Sequence, residues 1–169
     1  MPATSDRLLE WLRDAHAMEQ QAETMMDQQA SRLENYPELK ARIEQHIRET
    51  RAQGERVRVC IERLGGNTSS IKDISSKMMA FAQGMGGMTM SDEVVKGAMA
   101  SYTFEHFEIA AYRVLIAAAE EAGDAETKRV CQENLAEEER MAAWLEEHLL
   151  DITHKNLRRG EMESSAAKR

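Results

Sequence analysis

Four long stretches of this chain carry apolar stripes of helical period, and each stripe is interrupted near its middle by a carboxylate. In the first, Leu8, Trp11, Leu12, Ala15, Met18, Ala22, Met25 and Met26 recur at steps that keep one helix face inward, and Glu19 falls within the series. In the second, Leu39, Ile43, Ile47, Thr50, Val57, Ile61 and Leu64 mark the inner face, with His46, Glu49 and Gln53 along its edge. Val94, Ala98, Tyr102, Ile109, Tyr112, Leu115 and Ala119 define the third, with Glu105 and Glu108 inside the stripe. Cys131, Leu135, Ala142, Leu145, Leu149 and Ile152 enclose Glu138 in the fourth, and Glu137 borders it. A solvated face would set these acids opposite the apolar residues. A buried carboxylate without a partner is very costly, so the chain is restricted to folds that gather these acids and neutralise them.

Nothing suggests a sheet. Pro occurs twice and Phe three times, against abundant Ala, Glu, Met, Leu and Arg, and no run of alternating β-branched residues is present. The sequence TSD offers an N-cap for a first helix starting near Ser5 or Asp6 and ending near Asn35, before Tyr36 and Pro37. A second helix is expected from about Pro37 to Leu64, stopped by Gly65 and Gly66. Ser91 caps a third that ends at Gly123, and Asp124 opens a fourth that reaches about Thr153. Two short turns thus flank one long connection, residues 65–90, with a short helical piece near residues 71–82 and the tract GMGGMTM. A connection of that size can run the length of a bundle and reverse the second hairpin, which predicts an all-α four-helix bundle in up-down-down-up order. One domain over residues 1–155 is expected, followed by a polar flexible tail at 156–169.

In an antiparallel hairpin, residues equidistant from the turn lie side by side. A first turn near residue 35 sets Glu19 against residues around 50, where Glu49 stands, and a second at 123 and 124 sets Glu108 against Glu137, Glu138 and Glu139. Acids at matching levels call for cations, and a pair of metal ions bound by side chains from all four helices supplies them. His46 and His16 each precede a glutamate by three, and His46 is the one expected to ligate. His106 should face away, since Glu105 and Glu108 claim the inner face. Tyr102 and Tyr112 read as core aromatics, and the methionines at 78, 79, 85, 88 and 90 as gap fillers under the crossover.

The net charge of −8, with Lys and Arg dispersed outside the tail LRRGEMESSAAKR, argues against a nucleic-acid partner. No apolar stretch approaches the ~20 residues that span a bilayer, and the N-terminus lacks an apolar signal core, so a cytoplasmic protein with no membrane partner is expected. Cys60 and Cys131 are too few for a four-Cys iron or zinc site and fit the helix seams as buried reduced thiols.

The blocks HIRETRAQGERV, FEHFEIAAYRVL and LAEEER, spaced around AMEQQAE and AEEAGDAE, resemble the bacterial YciF/YciE-type ferritin-like stress proteins, a group related to rubrerythrins, over roughly residues 5–150. EHFEIAAY is the most specific of them. The resemblance implies a ferritin-like bundle, usually dimeric, with a di-metal centre and a link to stress responses. It carries the ligands over to Glu19, His46, Glu49, Glu105, Glu108 and Glu138, with Glu137 as the neighbour that could substitute. The pattern departs at one point: ferritin-like sites use Glu-x-x-His on two helices, whereas this chain has His46-x-x-Glu49 and places Met141 three beyond Glu138. Such a site is rich in carboxylate, a hard donor set that suits Mn(II) and Fe(II).

The expected function is that of a homodimeric stress protein holding two Fe or Mn ions, bridged by Glu49 and Glu138 with Glu19 and Glu105 or Glu108 as terminal ligands, and reacting with oxygen or hydrogen peroxide. Lacking a four-Cys iron site, a rubrerythrin-like peroxidase would need an external electron donor, and a catalase-like cycle would need none. The alternative is a non-catalytic stress protein whose bundle serves dimerisation or partner binding, its acids held by a structural metal or by protons.

Overall fold

The structure, a computed structural model, describes residues 3–67 and 93–167. The expected helical piece near residues 71–82 and most of the expected crossover lie outside them. The described residues form α1 (Thr4–Ala30), α2 (Pro37–Arg63), α3 (Glu93–Glu121) and α4 (Ala125–Ala166), with no strand among them.

Local chemistry sets the helix ends. The Asp6 carboxylate accepts a hydrogen bond from the Ala3 N–H at 3.2 Å, which closes the first turn of α1. Pro37 starts α2, where its missing N–H costs nothing. At the far end Gly65 takes φ +75°, and the Gly66 N–H reaches back to the Ile61 carbonyl at 2.9 Å. The α3–α4 corner repeats this motif: Gly123 takes φ +69° and the Asp124 N–H donates to the Ala119 carbonyl at 2.8 Å. Asp124 then caps α4, accepting from the Thr127 N–H at 3.1 Å while its other oxygen pairs with Arg63 of α2.

Cross-helix contacts fix the topology. Arg51 reaches Glu23 at 2.6 Å between α2 and α1, and Arg113 reaches Glu139 at 2.8 Å between α3 and α4. Ser101 donates to Gln29 at 2.7 Å between α3 and α1. Arg56 donates to Asn134, and Arg63 to Thr127, both at 2.7 Å, between α2 and α4. In each pair rising numbers meet falling ones, so all four neighbouring pairs are antiparallel and α2 runs parallel to α3. This is the expected up-down-down-up order. It also requires the α2–α3 link to begin and end at opposite ends of the bundle, with Asn67 against Arg13 and Glu93 against Arg32.

Two expectations about the helices are corrected. The first helix ends at Ala30, but Leu33 and Tyr36 are buried, so the chain continues in the direction of α1 and reverses only at Tyr36 and Pro37. Glu19 therefore lies beside Gly54, where an added methyl group would stand 3.5 Å from Glu19 Cβ, and not beside residue 50. The fourth helix does not stop near Thr153; it continues to Ala166, with residues 161–166 exposed. Good helix formers carry it on after its apolar stripe has ended.

Leu8, Leu12, Ile43, Val57, Ile61, Met141 and Leu145 fill the core on either side of the mid-level acids, and Cys60 and Cys131 are buried free thiols. No helix among the described residues is long and apolar enough to cross a membrane.

Candidate metal centre

His46 of α2, Glu105 and Glu108 of α3 and Glu138 of α4 each offer a ligand atom within 4.8 Å of the others, and none is more than 2% exposed. The helical period brings them together. Glu105 and Glu108 lie three apart on the face that also buries Tyr112, and Glu138 lies between the buried Asn134 and Met141. On α2 the inward row is Ile43, His46, Thr50, Gln53 and Val57. Glu49 stands at the edge of that row with its side chain 20% exposed, and its Oε2 is 2.8 Å from His46 Nδ1. That contact turns the other ring nitrogen inward.

Nε2 of His46 lies 3.1 Å from Oε2 of both Glu105 and Glu138, but neither contact has hydrogen-bond alignment. Both oxygens of Glu108, both of Glu138 and Oε2 of Glu105 also lack a hydrogen-bond partner. Burial opposes charge on His46, yet the Glu105 carboxylate, followed by Glu138 and Glu49, overrides it and pushes the imidazolium up to about 12. Glu108 is held well above the usual carboxylate range by burial and then by repulsion from Glu138, Glu19 and Glu105. Glu138 is raised in the same way, by burial first, although His46 pulls against the shift.

Glu19 reaches this region from α1. Burial pushes its carboxyl up to about 8, against a hydrogen bond from the Tyr112 hydroxyl to Oε1. Tyr112 accepts in turn from Asn134 Nδ2 at 2.9 Å, and Asn134 Oδ1 accepts from Arg56 at 2.7 Å. A chain of hydrogen bonds thus runs from a partly exposed guanidinium to a buried acid. Tyr112, expected as a core aromatic, is also the partner of Glu19.

These residues fit a divalent ion. Donors on opposite sides of such an ion lie about 4 Å apart, close to the spread seen here. One imidazole nitrogen and three carboxylates form a hard, carboxylate-rich set, and their unpartnered oxygens are what a cation would satisfy. Of the six residues singled out from the sequence, four converge, Glu19 sits alongside bonded to Tyr112, and Glu49 stands behind His46. Glu137 points outward to Arg56, and His106 is exposed against Tyr102. Gln53, Thr50 and Asn134 are buried polar residues that the stripes alone did not single out as part of the site. Their spacing of seven and four from His46 and four from Glu138 was the available signal.

An up-down-down-up bundle that buries a histidine–carboxylate cluster at mid-length is a ferritin-like protein. The chain belongs to the family described as Domain of unknown function (DUF892), which it matches over residues 3–158. Among solved structures it is similar to a protein from Xanthomonas campestris pv. campestris, with 45% identity and a TM-score of 0.81 over 95% of this chain and 99% of that one. YcfI from Rhodopseudomonas palustris is 27% identical with a TM-score of 0.71, over 86% of this chain and 94% of that one. The E. coli stress protein YciF shares the fold at 23% identity with a TM-score of 0.72, over 92% of this chain and 99% of that one. The resemblance carried by HIRETRAQGERV, FEHFEIAAYRVL and LAEEER is thereby borne out.

Proposed function

We propose that this chain is a cytoplasmic stress-response protein that binds two Fe or Mn ions in its bundle core and reacts with hydrogen peroxide or oxygen. The observation that carries the reading is the set of buried oxygens on Glu105, Glu108 and Glu138 that have no hydrogen-bond partner. The name of its structural relative YciF supports the stress role. His46, Glu105, Glu108 and Glu138 would hold the ions, with Glu19 beside them bonded to Tyr112. When bound, the ions would supply Lewis acidity and a route for electrons. The residues do the rest. Glu49 fixes the His46 ring so that Nε2 faces the carboxylates. Tyr112 orients Glu19, whose raised pKa suits it to hold a proton beside the site at neutral pH. The apolar layers of Met18, Ile43, Leu115 and Met141 exclude bulk water.

Anaerobic reconstitution with Fe(II) or Mn(II), elemental analysis and a peroxide-consumption assay test this reading. About two ions per chain and turnover above that of free metal are expected, and Glu138→Ala should lose both. Metal without turnover would favour the non-catalytic alternative, and absence of metal would remove the site.

A homodimer is proposed with it. Met99 and Val114 are 51% and 50% exposed on α3, and Phe107 and Val114 border an apolar groove of about 300 Å³ that also includes Trp11 and Met18 of α1. A second copy related by a two-fold axis would cover this face with itself. Sedimentation should give twice the 19.2 kDa chain mass, and a purely monomeric profile would rule the dimer out.

A further inference from the structure

The four side chains that converge bring three carboxylates and one imidazole. Three carboxylates more than neutralise one divalent ion, but two such ions carry four positive charges, and an unbalanced charge in the core is costly. A second ion therefore calls for a further carboxylate. Glu49 is taken up behind His46, its Oε2 on Nδ1, and Glu137 points outward to Arg56. That leaves Glu19, 2% exposed, which reaches the region from α1 yet lies outside the convergent set.

A chain of hydrogen bonds anchored near the surface holds it aside. Arg56, its side chain 23% exposed, can only donate, and it gives a hydrogen to Asn134 Oδ1 at 2.7 Å. With its oxygen so engaged, Asn134 turns Nδ2 to the Tyr112 hydroxyl oxygen at 2.9 Å. Nδ2 can only donate as well, so the one acceptor that the Tyr112 hydrogen meets among the described residues is Glu19 Oε1. Each direction along the chain is forced by the group before it. Tyr112 is 0% exposed, so a Glu19 that swung away would leave a buried O–H without an acceptor.

Resting on the two-ion reading above, we infer that Tyr112 is a positioning residue that withholds Glu19 from the metal centre, so that the two ions bind unequally and Arg56, near the surface, sets the difference. One ion needs only the convergent set. Filling the centre with two draws Glu19 off the Tyr112 hydroxyl, and the donor left unsatisfied weakens the second ion by about tenfold.

Anaerobic titration of the metal-free full chain with Mn(II), with unbound Mn(II) counted by electron paramagnetic resonance, tests this. Wild-type protein should take up its ions in two unequal steps. Tyr112→Phe removes the hydroxyl without changing the charge, and should strengthen the second step about tenfold while leaving the first as it was. Arg56→Met frees Asn134 to offer its oxygen to Tyr112 and should likewise strengthen the second step alone, whereas loss of a positive charge by itself would strengthen both. A loosened fold would weaken both steps, so a selective gain is not mimicked by damage to the bundle. Two steps that Tyr112→Phe leaves unaltered, or weakens together, would overturn the role of Tyr112 and leave the two-ion centre standing. No ion in either protein would remove both.

Discussion

Loading the metal-free protein with Mn(II) or Fe(II) is expected to raise its melting temperature by about 10 °C, since an ion at a thousand times its dissociation constant contributes about 4 kcal/mol and a domain of this size shifts by about 2–4 °C for each. The driving force is visible in the cluster. Glu108 and Glu138 are 1% and 0% exposed and neither oxygen of either has a hydrogen-bond partner, so a cation removes both their mutual repulsion and their lost hydration. Glu138→Gln keeps the shape but lowers the donor charge, and most of the shift should vanish with it. Glu34→Ala, at an exposed position in the α1–α2 turn, should keep the full shift. Differential scanning calorimetry with and without metal decides the matter, and equal melting temperatures for the two forms would count against any metal in the core.

The second large effect is a reversal of pH dependence between the two forms. In metal-free protein the buried acids have folded-state pKa values above their unfolded ones: Glu19 at about 8 against 4.5, with Glu108 and Glu138 also raised. A raised carboxyl binds more protons folded than unfolded between those two values. Stability therefore falls as pH rises through that window, by about 1.4 kcal/mol per unit for each such group at most. His46 acts in the same direction at higher pH: its folded pKa of about 12 contributes stability that is complete below 6.5 and drains away above it. Glu49, lowered by its His46 contact, works the other way but only as the pH falls below about 4.5. Metal-free protein should thus become more stable on acidification from about pH 8 to about pH 5. Metal-loaded protein should become less stable over the same range, because protons displace the ions from their ligands. Urea unfolding at several pH values measures both slopes, and slopes of the same sign would refute the argument.

Much of this architecture was legible residue by residue. Apolar steps of three and four marked the inner faces of α1, α3 and α4, and Glu19, Glu105, Glu108 and Glu138 are buried as those steps required. Gly65, Gly123 and Asp124 announced the helix ends through conformational freedom and capping, which act within a single turn. Even the direction of α3 followed from the length of one connection. Hydrophobic period and cap chemistry are local properties, written wholly in the sequence.

What remained open depended on rotation and register. An apolar stripe is about 100° wide, the same angle that separates consecutive residues, so period alone does not say which residue at its margin turns inward. On α2 the packed bundle placed His46 and Gln53 inside and left Glu49 at the edge as the partner of His46. Register was likewise decided by volume: Leu33 and Tyr36 pack beneath the bundle, move the reversal to Pro37, and bring Glu19 level with Gly54 and Tyr112. The buried acids and their inward faces were determined by the sequence alone. Which of them share one cation, which bonds to Tyr112 and which polar groups stay unpartnered were decided only when four helices packed, because each of those outcomes depends on distances between residues far apart in the chain.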